Sequence, residues 1–113
     1  MKIALFGQYY QNSTAEIVQK VVTFLESNAI TIAFEASFLA SLKEKNIILK
    51  EYETYSNYNN LDADFKALIS IGGDGTILKA ATFVRDKNIP IIGINAGRLG
   101  FLATIQFENI ETL

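Results

Sequence analysis

The residue types most able to do chemistry lie in one glycine-rich stretch, Gly72–Thr76, with the sequence GGDGT. It follows the apolar run Leu68–Ile71 and leads into helix-forming residues. Such a turn suits an anionic phosphate, because glycines let a ligand approach the main chain and the amides that open a helix face it. Asp74 is unusual there, since a carboxylate repels phosphate unless it binds a cation, accepts a proton or holds a hydroxyl. The stretch therefore indicates chemistry as well as binding.

The composition restricts which groups can do that chemistry. The chain contains no histidine and no cysteine, which excludes histidine bases, Ser-His-Asp triads, thiol catalysis, disulfides and the usual zinc ligands. Proton transfer must then fall to Asp, Glu, Lys or Tyr. The net charge of −2 and the lack of a basic cluster argue against nucleic acid as a partner. No apolar run is long enough for a signal peptide or a membrane span, so we expect no membrane partner and a cytoplasmic location.

Apolar runs that alternate with amphipathic segments predict the elements that position the turn. This alternation is typical of an α/β fold, a Rossmann-like parallel sheet with helices on both faces. Half of the 113 residues are hydrophobic and 19% are charged, which favours one folded domain over residues 1–113. The predicted strands are Ile3–Phe6, Ile30–Phe34, Phe65–Ile71 and Ile91–Ile94, and the predicted helices cover about 14–27, 35–45 and 76–87.

Four segments either leave a detail of the predicted fold open or lead to a further expectation. Ile47–Leu49 is either a third short strand or an extended link. The tyrosines of Tyr52–Tyr58 belong to a polar loop that either covers a site or packs on the surface. In the helix at 76–87 we expect Ile77, Leu78, Ala81 and Val84 to face inward. The tail 107–113 resembles the start of a helix, so we expect the chain to be the first domain of a longer protein.

A second glycine-bearing turn, Asn95–Leu102, follows the predicted strand Ile91–Ile94. Ligands of open α/β sheets bind beyond the carboxyl ends of the strands, so both glycine turns can meet at one crevice. On the residues alone, Gly72–Thr76 could also be a structural turn capped by Asp74 or Thr76. It carries more glycine than a cap requires and matches neither a Walker A loop nor Gly-x-Gly-x-x-Gly. A different kind of phosphate loop is the favoured interpretation.

The pair of motifs resembles a known family. Gly72–Thr76 followed by Gly93–Leu102 (GINAGRLGFL) is similar to the amino-terminal domain of bacterial NAD kinases. The first motif alone is shared with diacylglycerol kinases, sphingosine kinases and, more loosely, 6-phosphofructokinases. The resemblance implies transfer of the γ-phosphoryl of ATP, or of polyphosphate, to the 2′-hydroxyl of the adenosine ribose of NAD, giving NADP. It also implies Mg²⁺ or another divalent metal with the nucleotide.

The resemblance assigns roles to individual positions. Asp74 matches the catalytic aspartate, which accepts the proton of the ribose hydroxyl. The other implied binding residues are Gly72, Gly73, Gly75 and Thr76 around phosphate, and Gly97, Leu99, Gly100 and Phe101 along the dinucleotide site. Lys79, one helical turn beyond Gly75, either reaches a phosphate or is an ordinary exposed helix lysine. Phe101 is either an adenine wall or core, and Arg98 has no assigned role.

The resemblance also implies parts that these residues lack. Members of the family carry a carboxyl-terminal β-rich domain that completes the site and supplies most of the subunit interface, so we expect a homo-oligomer in the full-length protein and little turnover from this chain alone. Two alternatives stay open: a lipid or sugar kinase domain of the same superfamily, and a non-catalytic nucleotide-binding module.

Overall fold

The computed structural model describes residues 1–8 and 12–95, except for the side chains of Asn12, Ser13, Asp74 and Asn95. Five strands and three α-helices alternate along this part of the chain, with one short 3₁₀ helix. The elements are β1 (Lys2–Gly7), α1 (Asn12–Ser27), β2 (Thr31–Glu35), α2 (Ala36–Glu44), β3 (Glu53–Tyr55), the 3₁₀ helix (Tyr58–Asn60), β4 (Phe65–Gly72), α3 (Asp74–Val84) and β5 (Ile91–Asn95).

The five strands form one sheet in the order β3-β2-β1-β4-β5, and every neighbouring pair is parallel. From β1 the chain moves outward to β2 and then β3. It returns to β4 on the other side of β1 and moves outward again to β5, so the direction reverses between β1 and β4. That reversal is the topological switch point at which open α/β sheets bind ligands. The predicted fold class, a Rossmann-like α/β sheet with helices on both faces, is confirmed.

Two hydrophobic cores cover the two faces of the sheet. Helices α1 and α2 bury one face together, through residues such as Val18, Leu25 and Leu42 against Leu5 and Ile69. The opposite face is covered by α3 and by the segment that crosses from β3 to β4. Alternate residues of β1 divide between the cores as the pleat requires: Ile3 and Leu5 enter the first, and Ala4 and Phe6 enter the second.

The third strand lies later in the chain than Ile47–Leu49. That segment is a link, in which the Ile47 amide donates to the Leu42 carbonyl at 2.9 Å and closes the end of α2. The strand is Glu53–Tyr55, inside the predicted polar loop. Tyr55 is therefore no surface residue; it is buried, and its hydroxyl donates to the Leu5 carbonyl at 3.0 Å.

The inward face of α3 also differs from the prediction. Ile77 is 40% exposed, Leu78 is 75% exposed and Ala81 is exposed; of the four expected residues, only Val84 is buried. The buried positions are Thr76, Ala80 and Val84, at intervals of four. This stripe puts the short side chain of Ala80 against β4 and lets the helix lie close to the sheet.

The ends of two helices also differ from the prediction. Helix α3 covers residues 74–84 where 76–87 was predicted, because Arg85 has a φ of 46° that ends the helix. Helix α1 begins at Asn12, two residues before its predicted start. In residues 1–8 and 12–95, no helix has the length and apolar character needed to cross a membrane.

Candidate active site

The carboxyl ends of three neighbouring strands meet beside the glycine turn. Gly7, the last residue of β1, pairs with Ile71 of β4, and Gly72 pairs with Asn95 at the end of β5. The chain leaves β1 through Gln8, whose amide donates to the Ile71 carbonyl at 3.2 Å. The glycine turn is thus at the switch point, with Asn95 of β5 beside its first glycine. Residues 96–102 of the second glycine-bearing turn lie outside the described residues, so the meeting of the two turns stays a prediction.

The start of α3 differs from the start of α2. Helix α2 is capped by the carboxylate of Glu35, which accepts from the amides of Ser37 at 3.0 Å and Phe38 at 2.9 Å. The corresponding residue of α3 is Gly73, with an extended backbone at φ −107° and ψ −164° and no side chain to act as a cap. The partial positive charge at the start of α3 is therefore not neutralised by its own N-cap residue, which suits an anionic ligand.

Gly72 and Gly75 are glycines for different reasons. Gly72 has a φ of 155°, and a Cβ there would lie 2.4 Å from Oγ1 of Thr76, so packing and backbone geometry require glycine. Among the residues that the structure describes, a Cβ on Gly75 would meet no heavy atom within 4 Å beyond its chain neighbours. Glycine is a poorer helix former than alanine, and no packing contact with the described residues requires it here. The open space over Gly75 is where a ligand could approach the first turn of α3.

Thr76 lies beneath this turn. It is fully buried, and its hydroxyl donates to Oε1 of Gln8 at 2.8 Å. Its amide donates to the Gly73 carbonyl at 3.1 Å. The predicted contact between Thr76 and phosphate stays a prediction; the contact that the structure describes ties α3 to the residue after β1.

Of the remaining predicted residues, Lys79 and the backbone of Asp74 are described by the structure and the others are not. Lys79 is exposed on α3, which is compatible with both of its proposed roles. The structure describes the backbone of Asp74, the first residue of α3, but not its side chain. The positions Gly97, Arg98, Leu99, Gly100 and Phe101 lie outside the described residues, and their roles stay predictions.

Two tyrosines are removed as candidates for proton transfer. Burial raises the pKa of the Tyr55 hydroxyl far above its ordinary value, and the charge of Glu35 adds to the effect. Burial, together with a hydrogen bond to Glu26, raises the pKa of Tyr52 to about 12. Both hydroxyls therefore stay protonated near neutral pH, so neither can act as a base there.

Metal binding by protein side chains is not evident in the described part of the chain. Within residues 1–8 and 12–95, no group of three or more Asp or Glu side chains is placed to hold a metal ion. Mg²⁺ commonly binds through one or two carboxylates together with substrate phosphates and water.

Two contributors to this edge of the sheet were missed by the sequence reasoning. Gln8 has no predicted role, and Glu35 enters only as the first residue of the predicted helix 35–45. The signal for Gln8 was its position directly after the first strand of a doubly wound sheet. The signal for Glu35 was an acid directly before a helix.

The sequence of this chain is similar to those of known proteins. A sequence model of the family described as "ATP-NAD kinase N-terminal domain" matches residues 3–113. The NAD kinase of Flavobacterium johnsoniae is 54% identical over all of this chain, and that of Methanothermobacter thermautotrophicus is 34% identical over 97% of it. The chain spans 38% and 36% of the length of these two relatives.

A solved structure gives the same fold. The crystal structure of yeast NADH kinase complexed with NADH superposes with a TM-score of 0.61 over 99% of this chain and 36% of the yeast chain, at 18% identity. That identity supports the fold alone. The match over residues 3–113 decides the family: the chain belongs to the ATP-NAD kinase N-terminal domain family.

Proposed function

We propose that the protein containing this chain transfers the γ-phosphoryl of ATP, or a phosphoryl of polyphosphate, to the 2′-hydroxyl of the adenosine ribose of NAD, giving NADP. The observation that carries this proposal is the open space over Gly75, at a helix start on the switch point. The relatives that match nearly all of the chain are named NAD kinases, which supports NAD as the acceptor.

Asp74 is the residue to which we assign the proton. Its carboxylate accepts the proton of the ribose hydroxyl while that oxygen attacks the γ-phosphorus, and the bond from phosphorus to the β-γ bridging oxygen breaks to release ADP. The amides of the glycine turn hold phosphate oxygens during this transfer. Since phosphoryl transfer depends mostly on alignment and charge neutralisation, the fixed backbone of this turn is as important as the acid itself.

Further parts of the proposal concern the rest of the protein. Mg²⁺ or another divalent cation accompanies ATP and neutralises its phosphates. We assign residues 1–113 to the first domain of a cytoplasmic, homo-oligomeric enzyme, in which Gly97, Leu99, Gly100 and Phe101 line the dinucleotide site. A carboxyl-terminal domain completes the site.

The first test replaces the proposed base in the full-length protein. Asp74→Asn removes the proton acceptor with little change in size, so we expect NADP formation to fall about 10²- to 10⁴-fold while NAD binding and the folded state are retained. The measurement is steady-state NADP production together with NAD titration by calorimetry. Asp86→Asn, an exposed acid beyond the end of α3, is the matched control and should retain wild-type activity.

The same preparation separates the alternatives. Phosphorylation of diacylglycerol or sphingosine without phosphorylation of NAD would identify a lipid kinase. Unchanged function in Asp74→Asn would instead indicate a nucleotide-binding module without catalysis.

The isolated chain gives a second test. Residues 1–113 contain the glycine turn but only about a third of the relatives' length, so we expect NADP formation close to background. Enzyme-like turnover by these residues would contradict the assignment of a second domain to the site.

A further inference from the structure

Gln8 contacts both sides of the glycine turn. Its amide donates to the carbonyl of Ile71 at 3.2 Å, directly before the turn. Its side-chain carbonyl accepts from the hydroxyl of Thr76 at 2.8 Å, in the first turn of α3. Residues 72–75 are therefore bracketed by two hydrogen bonds to one residue of the neighbouring strand end, 68 positions away from Thr76 in the chain.

The surroundings make the Gln8–Thr76 bond structurally important. Thr76 is fully buried, and its Oγ1 and Cβ occupy the space beside Gly72 where a side chain would otherwise lie. Removing a hydrogen-bond partner from a buried hydroxyl is destabilising. Thr76 lies in the first turn of α3, two residues after Asp74.

We infer that Gln8 is a positioning residue for the acid of the glycine turn, acting through Thr76 and without contact to the reacting atoms. This inference rests on the proposed function for its catalytic consequence. Gln8 fixes the start of α3 against β1, so that the backbone of Asp74 keeps one orientation relative to bound phosphate. A misplacement of about 1 Å can cost about 10²-fold in rate, so the effect should be on turnover more than on binding.

The test compares two replacements of Gln8 in the full-length protein. Gln8→Met keeps the length of the side chain but removes the acceptor, and we expect kcat to fall about 10- to 100-fold with KM for NAD changed by less than about threefold. Gln8→Glu keeps an acceptor for Thr76. Its added charge should raise KM for ATP, while kcat at saturating nucleotide should stay within about fivefold of wild type.

Two further variants test whether the fall in kcat of Gln8→Met acts through Thr76. Thr76→Val removes the other partner of the bond, so its effect on kcat should be strongly non-additive with that of Gln8→Met in a double-mutant cycle. Thr82→Val removes a hydroxyl of the same helix that donates to the Lys79 carbonyl at 2.7 Å and is exposed. This matched control should leave kcat unchanged.

Amide hydrogen exchange measures how firmly the glycine turn is held, and it needs no substrate. In Gln8→Met we expect exchange in residues 72–78 to rise about tenfold or more, with residues 14–27 of α1 unchanged. Unchanged exchange in residues 72–78, or wild-type kcat in Gln8→Met, would overturn the inference. If the wild-type protein makes no NADP, the proposed function fails, whereas the exchange experiment still decides whether Gln8 holds the turn.

Discussion

Gly72 and Gly75 show how two identical residues in one turn can serve different purposes. A side chain at Gly72 would collide with Thr76, whereas a side chain at Gly75 would extend into space that none of the described residues fills. The sequence predicts glycines and an anionic ligand here, but it cannot tell a glycine required by packing from one that leaves room for a ligand. That distinction depends on the position of Thr76, whose hydroxyl donates to Gln8.

Alanine substitutions separate the two purposes. Gly75→Ala should raise the free energy of unfolding by about 0.4–1 kcal/mol and yet lower NADP formation, because the new methyl group enters the proposed ligand space. Gly72→Ala should lower the free energy of unfolding by about 1–3 kcal/mol, since both the positive φ and Thr76 oppose a side chain. Urea unfolding and NADP assays on the two variants check this contrast. A Gly75→Ala protein with full activity would show that the open space is not used.

At the scale of elements, the two helices that follow β2 and β4 begin in opposite ways. Glu35 neutralises the start of α2 with its own carboxylate, and Gly73 leaves α3 without a side-chain cap. In many dinucleotide-binding folds an acid near the end of the second strand holds a ribose hydroxyl. Here the carboxylate of Glu35 is engaged with the backbone of α2, so its evident role is to hold that helix.

Removal of this cap should destabilise the fold. Glu35→Ala leaves the amides of Ser37 and Phe38 without their acceptor, so we expect a loss of about 1–2 kcal/mol in the free energy of unfolding. Glu44→Ala, at the exposed far end of α2, is the control and should change stability by less than about 0.5 kcal/mol. Equal values for the two variants in urea titrations would argue against the cap.

The presence of a helix or strand was easier to predict than the buried face of a helix or the exact position of a strand. The alternation of apolar runs identified β1, β2, β4 and β5, because buried parallel strands are nearly continuous in hydrophobicity. It missed β3, since Glu53–Tyr55 is a short edge strand with only one buried residue. It also placed Leu78 inward, because hydrophobicity alone cannot show that the smaller Ala80 faces the sheet.

At the scale of the whole molecule, the folded state keeps two tyrosines neutral. Burial raises the pKa of Tyr52 to about 12 and that of Tyr55 further. A tyrosine whose pKa is higher in the folded than in the unfolded state stabilises the fold through its neutral form. That stabilisation is complete below the ordinary tyrosine pKa of about 10 and is lost as the pH rises through the folded value. The fold should therefore weaken in alkaline solution.

Tyr52→Phe tests this pH dependence. The free energy of unfolding of the wild-type chain should fall between about pH 10 and 12, and the variant should fall less steeply over that interval because it has one ionisation fewer. Denaturant unfolding followed by circular dichroism at a series of pH values provides the measurement. Parallel curves for the two proteins through pH 12 would contradict the assignment to Tyr52.

The position of β1 has a consequence for how the chain acquires its structure. This first strand lies in the middle of the sheet, between β2 and β4. Its contacts with β2 close short loops, but its contacts with β4 must wait for a long loop to close, which costs entropy and slows folding. During synthesis, β1 therefore has one edge unpaired until β4 has left the ribosome. Until then the unpaired edge of Lys2–Gly7 is available for pairing with another chain.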